Sequence, residues 1–193
     1  MNRPEWVIFD LGGVVLNWLN CRDLTIKHLG FSLEEFNLVF GKYVIEMELG
    51  NITPLQGFTQ ILHELKKPDD PQTILNLWMN GLLQMDSTVE LIQKLSLSYK
   101  LGVCTNNWVG IVNQNKLMFP RAFEYFNFIV DSSITRTRKP DVDIYRTVEN
   151  RANASGKSIF FIDDTLSNIE TANSIGWQTY HFKDALELEK MLL

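Results

Sequence analysis

Cysteine and histidine are scarce in this chain of 193 residues, with two of the first and three of the second. Cys21 and Cys104 stand far apart, with no CxxC spacing and no histidine cluster beside them. That excludes a disulfide framework and a thiolate metal site as organising features, and a cytoplasmic setting is the expectation. His28, His63 and His181 are scattered, and read as surface or structural residues rather than as a catalytic set. Excess positive charge is missing too. Lys and Arg total 18 against 23 Asp and Glu, a net charge of −5, so no nucleic-acid partner is expected. No apolar run approaches the roughly 18 residues that a membrane span requires, so no membrane partner is expected either. The N-terminal apolar run, Trp6-Val7-Ile8-Phe9, stops at Asp10 and does not match a signal peptide.

What is present is the composition of a globular protein, 45% hydrophobic and 21% charged, in a pattern with three parts. One short strand, residues 6–10, comes first. Residues 17–85 then read as helical almost throughout, with no strand pattern. Ser32 with Glu35 forms a capping box ahead of a helical-period stripe that runs from Phe36 to Val44. Gly50 closes that helix, and Thr53-Pro54 and Asp70-Pro71 open two more. From residue 86 strands and helices alternate. Strands are expected at 101–105, 126–130, 159–162 and 178–182, with helices over 87–98, 108–118, 141–153 and 166–175. A last short helix follows.

Apolar strands alternating with amphipathic helices predict an α/β protein with a Rossmann-like, doubly wound parallel sheet. Right-handed crossovers bring every strand's carboxyl end to one edge, where ligands bind in such sheets. The residues that stop these strands are Asp10, Thr105, Asp131 and the pair Asp163-Asp164, so all are expected to converge on one crevice. Adjacent carboxylates resist ionising together unless a cation lies near. Facing Asp10, they offer the oxygen ligands that Mg²⁺ prefers. The plainer reading of the pair is as helix N-caps, and one can cap while the other ligates. Lys139 in TRTRKPD would serve as a compact charge for a phosphate, and Thr105 as a hydroxyl followed by helix-start N–H groups.

The set FDLGGVV, VCTNN, RKPD and FFIDDTLSNIETA, in this order, resembles the four motifs of the haloacid dehalogenase superfamily. The resemblance spans nearly the whole chain and is strongest to its bacterial sugar-phosphate phosphatases, such as the α-glucose-1-phosphate phosphatases. It implies a discontinuous core of residues 1–15 and 86–193, with residues 16–85 as an inserted helical cap. It also implies a Mg²⁺-dependent phosphatase acting on a small phosphorylated metabolite, a sugar phosphate in the branch named. Asp10 would be the nucleophile. Asp10, the Gly12 carbonyl, Asp163 and Asp164 would hold Mg²⁺, while Thr105, Asn106 and Lys139 would bind the phosphoryl group. One position departs from the common pattern: Gly12 stands where most phosphatases of the superfamily carry an acid/base aspartate, work worth about 10²–10⁴-fold in rate.

Two alternatives stay open on the sequence. A 2-haloacid dehalogenase would use Asp10 on carbon, without metal, and Arg22 is its possible anion-binding arginine. A phospholigand-binding relative without turnover would keep the same motifs. Trp18, Phe40, Tyr43, Met47 and Trp78 are expected to be helix-packing core rather than a sugar platform. Oligomeric state is not readable from the sequence.

Overall fold

The computed structural model describes residues 3–193. Strand β1 (Trp6–Phe9) is buried throughout, with alternate side chains serving opposite faces. Val7 and Phe9 join one apolar cluster and Trp6 and Ile8 another, the period of two that a strand buried on both faces needs. The chain continues through β2 (Leu16–Asn17), α1 (Leu19–Leu29), α2 (Leu33–Glu48), α3 (Pro54–Glu64) and α4 (Pro71–Asn80). It returns by β3 (Leu83–Gln84) into α5 (Asp86–Leu95), β4 (Lys100–Thr105), α6 (Ile111–Met118), α7 (Pro120–Phe123) and β5 (Phe128–Asp131). Then come α8 (Ser132–Thr135), α9 (Val142–Ala152), β6 (Ile159–Asp163), α10 (Leu166–Ser174), β7 (Gln178–His181) and α11 (Ala185–Leu192).

The five-stranded sheet has the order β5-β4-β1-β6-β7, and every pairing in it is parallel. The fold is thus α/β. The chain lays β4 and β5 on one side of β1, then crosses to lay β6 and β7 on the other. The carboxyl ends of β1, β4 and β6 therefore meet at the switch in strand order, where such sheets bind ligands.

The helix-start signals form as expected. Ser32 and Glu35 make a reciprocal capping box, Thr53 makes another with Gln56, and Asp70 caps α4 ahead of Pro71. Each satisfies backbone donors that the first helical turn leaves unpaired. Residues 17–85 are not free of strand, however. Leu16–Asn17 pairs antiparallel with Leu83–Gln84, a ribbon too short for any periodicity to reveal. Helices α1 to α4 share an apolar cluster that includes Phe36, Met47, Phe58 and Trp78, and Trp108 and Ile111 beyond β4 join it. Among the described residues, no helix is long and apolar enough to cross a membrane.

Candidate active site

The site grows from the ends of three strands. Asp10 directly follows β1 and is 8% exposed, Thr105 ends β4 at 1%, and Asp163 ends β6 fully buried. The carboxylates of Asp10, Asp163 and Asp164 come together with one oxygen of each within 4.8 Å of the others. Asp164 is the exposed member. Lys139 enters from the loop between α8 and α9, 1% exposed, with a cis peptide bond to Pro140. Its Nζ lies 2.9 Å from Asp10 Oδ1 and 2.6 Å from Asp163 Oδ2. One ammonium thus faces three carboxylates, and the cluster keeps a negative excess that suits a divalent cation. Carboxylate oxygens are the hard donors that Mg²⁺ takes.

Each carboxylate is held separately. Asp10 Oδ1 accepts from the Leu11 backbone N–H at 2.7 Å as well as from Lys139. Asp163 accepts from the Thr165 N–H at 2.8 Å and from Asn168 Nδ2 at 3.0 Å to both oxygens. Asp164 lies against Gly13, whose φ of +76° suits glycine. A β-carbon at Gly13 would fall on the Asp164 carboxylate, so this glycine makes the close approach possible.

Burial is the largest influence on Asp10. Lys139 opposes it, Asp163 and Asp164 add to it, and the pKa is pushed up to about 7. Burial likewise raises Asp164, with Asp163 adding to the effect. Burial disfavours the charged form of Lys139, yet Asp10 and Asp163 hold its pKa above the ordinary lysine value.

The other expected residues fall in different places. Asn106 uses both side-chain ends on Lys139: Nδ2 donates to the Lys139 carbonyl at 2.9 Å, and Oδ1 accepts from the Lys139 N–H at 2.8 Å. It holds the lysine's backbone at both ends and also lines the cavity described below. Asp131 does not reach the crevice. It turns into α8, accepting from the Ser133 N–H and hydroxyl at 2.9 and 2.8 Å, because its short side chain caps the helix that starts immediately after it. Arg22 pairs with Asp23 at 2.9 Å and does not line the cavity. None of the three histidines lines it either.

Above the carboxylates is a cavity of about 480 Å³ between the sheet edge and helices α2 and α4. Trp18, Phe40 and Trp78 line it, where the sequence suggested packing alone. Trp78 does both, being buried in the helical cluster as well. Sequence reasoning also missed Asn168 and Trp108. The signal for Asn168 was available: an amide five residues past Asp163, in the first turn of the following helix, can reach back to the strand end. Trp108 gave none, since only the packed helices bring it to the wall.

Strand-end carboxylates around a buried lysine, at the switch of a parallel sheet, define a hydrolase site built for a cation and an anion together. A sequence profile of the haloacid dehalogenase-like hydrolases matches residues 7–182, and the chain belongs to that family. Over 182 residues it is 25% identical to a protein of Aspergillus oryzae named sesquiterpene phosphatase astK, spanning 93% of this chain and 90% of that one. It is 23% identical over 184 residues to a Mycobacterium tuberculosis protein named phosphatase MT3486, spanning 90% and 85%. A solved haloacid-dehalogenase-family enzyme, BT-2542 of Bacteroides thetaiotaomicron, superposes with a TM-score of 0.80 at 26% identity, over 94% of this chain and 95% of that one. The wild-type form of that enzyme in complex with magnesium and inorganic phosphate gives 0.77 at 28% identity, over 93% and 94%.

Proposed function

We propose that the chain is a Mg²⁺-dependent phosphatase that hydrolyses a small phosphomonoester through an aspartyl-phosphate on Asp10. The observation that carries this reading is the convergence of Asp10, Asp163 and Asp164 around buried Lys139. The relatives support it: two bear the name phosphatase, and the Bacteroides enzyme holds magnesium and phosphate in its crystals. Asp10, Asp163, Asp164 and the Gly12 carbonyl would hold the ion. Bound there, Mg²⁺ supplies neutralising charge between a carboxylate nucleophile and an anionic phosphate.

The chain's own residues carry the steps. Leu11 N–H and Lys139 fix Asp10 through Oδ1, leaving Oδ2 as the attacking atom. Its attack forms an O–P bond, and the bond from phosphorus to the leaving oxygen breaks with the electron pair staying on that oxygen. Water then attacks the same phosphorus, the bond to Asp10 breaks, and the carboxylate is restored as phosphate leaves. Thr105 and Lys139 stabilise the phosphoryl oxygens where charge develops, and Asn106 keeps Lys139 in place. Residues 16–85 act as a cap that excludes water from the crevice around residues 1–15 and 86–193.

The motif resemblance points to a sugar phosphate as substrate, while the cavity walls point elsewhere. The test of the reaction itself needs neither. Acetyl phosphate should release phosphate in Mg²⁺, and the release should stop with EDTA and in Asp10→Asn. Full activity in Asp10→Asn would remove Asp10 as nucleophile. Halide release from 2-chloropropionate without metal would instead favour the dehalogenase reading, against which the engagement of Arg22 by Asp23 already stands.

A further inference from the structure

We infer that the substrate is an aryl phosphomonoester, an apolar flat ring system joined to phosphate through a phenolic oxygen. The inference rests on the phosphatase reading and adds the leaving group. Two independent features of the cavity carry it: what its walls offer and what they lack.

The walls offer aromatic faces. Phe40 and Trp78 stack with centroids 5.2 Å apart and planes inclined by 19°. Trp108 lies 5.4 Å from Trp78, and Trp18 lines the cavity beside Gly12. Trp78 and Trp108 are nearly buried by this mutual packing, and half-buried Phe40 and Trp18 present the ring surface against which another ring can lie offset or edge-on. A cavity of about 480 Å³ lies in the range of small-molecule sites and admits a phosphoryl group with a ring system attached.

Part of the polar lining is already committed within the protein. Arg138 Nε is bound to Glu48 Oε2 at 2.8 Å, and both ends of the Asn106 amide are held by Lys139. Asn107 Oδ1 accepts from the Trp108 N–H at 2.9 Å, and Asn168 is committed to Asp163. The polar groups left over, Thr105, Ser167 and the terminal nitrogens of Arg138, are outnumbered on the wall by the apolar and aromatic side chains.

The walls also lack an acid for the leaving oxygen. The ionisable residues lining the cavity are Asp10, Glu48, Arg138, Lys139 and Asp164. Asp10, Lys139 and Asp164 belong to the carboxylate cluster, and Glu48 and Arg138 hold each other. Over Gly12, Trp18 fills the space: a β-carbon at that position would meet Trp18 Cδ1 at 3.3 Å. An indole thus stands where a side chain from position 12 would reach. The leaving oxygen must then depart without a proton. A phenol ionises near about 10, while an alkyl alcohol ionises close to the value of about 15.7 for water, so a phenolate leaves unprotonated far more readily. It takes its proton from solvent afterwards.

Three substrates separate the two features, with the wild-type protein in Mg²⁺. Compared are 1-naphthyl phosphate, glucose 1-phosphate and geranyl phosphate. The sugar's hemiacetal oxygen also leaves easily but meets the wrong walls; the geranyl group suits the walls but leaves as an alkoxide. The expected kcat/KM for 1-naphthyl phosphate exceeds each of the others by at least about 100-fold. Binding gives a second readout: by calorimetry, 1-naphthylphosphonate should bind at least about 100-fold more tightly than methylphosphonate. Parity or preference for glucose 1-phosphate overturns the aromatic pocket, and parity or preference for geranyl phosphate overturns the phenolic leaving group. Failure of acetyl phosphate as well would instead bring down the phosphatase reading, whereas turnover of acetyl phosphate without turnover of 1-naphthyl phosphate overturns this inference alone.

Discussion

Replacing Lys139 by methionine tests the electrostatic core of the site without requiring any substrate. The side chain is 1% exposed, and its ammonium touches Asp10 Oδ1 at 2.9 Å and Asp163 Oδ2 at 2.6 Å. At an effective dielectric constant of about 20, each contact has a gross Coulomb energy of about 6 kcal/mol. Burying the ammonium offsets much of that, and removal of one partner from a buried ion cluster costs about 3–5 kcal/mol net. For a chain of this length, each kcal/mol moves the melting temperature by about 2–4 °C. Lys139→Met should therefore melt about 10 °C below the parent in EDTA at pH 8. The loss has a diagnostic pH dependence. The Asp10 pKa is already raised to about 7, so its stabilising contribution is full below the unfolded value and disappears as pH rises through 7. Lys139 lowers that pKa, so its removal pushes the titration higher, and acidification to pH 6 should narrow the gap. Millimolar Mg²⁺ should narrow it too, by supplying the missing positive charge. A gap under 2 °C at pH 8, or one indifferent to both acid and Mg²⁺, would refute the reasoning.

Three further outcomes follow from the same geometry. Asp10→Asn should raise the melting temperature of the metal-free protein at pH 8, because a carboxyl titrating near 7 instead of 3.8 opposes folding by about 1.4 kcal/mol for each pH unit of difference; calorimetric melts in EDTA check this, and the gain should fade by pH 5. Gly13→Ala should weaken Mg²⁺ binding measured by calorimetry by at least about tenfold, since its β-carbon would displace Asp164 and the left-handed backbone adds about 1–2 kcal/mol of strain. Asn168→Leu removes the amide that holds both oxygens of Asp163 and should lower Mg²⁺ affinity or turnover by about 10–100-fold, with the circular dichroism spectrum unchanged.

The sequence made the sheet legible because each strand is a short apolar run ending in a polar residue. The same endings led to Asp10, Thr105 and Asp163-Asp164. Asp131 looked identical at that level, yet its carboxylate turns into α8, a difference of side-chain direction that no spacing encodes. The ribbon of β2 and β3 escaped notice for another reason. Two residues per strand carry no period, and their pairing joins positions far apart in the chain. The aromatic residues were visible and misweighted: burial in a helical cluster and exposure to a cavity ask for the same side chains. Only the packed arrangement shows that Phe40 and Trp78 meet Trp108 at a wall.

The site and the helical segment are also mechanically joined, which a second substitution can test. The last residue of α2, Glu48, is fixed at two points. Its carbonyl accepts from the Ser132 hydroxyl at 2.6 Å, and its carboxylate accepts from Arg138 Nε at 2.8 Å. Ser132 Oγ in turn accepts from the Asn107 N–H at 3.0 Å, and Arg138 directly precedes Lys139. Two residues past Glu48, Gly50 (φ +70°) packs so closely on the Ser133 carbonyl that a β-carbon would collide with it. The end of α2 therefore rests on the loops that carry Asn107 and Lys139. Burial raises the Glu48 pKa against the pull of Arg138, and glutamine at this position keeps the shape without the charge. Glu48→Gln should loosen the seat of α2 beside the cavity while leaving Asp10, Asp163 and Asp164 in place. The expected kinetic signature is a KM raised about tenfold for an aryl phosphate, with kcat within about twofold. A kcat that falls while KM stays constant would mean that Glu48 acts on the chemistry through Lys139, and that the seating of α2 does not govern substrate binding.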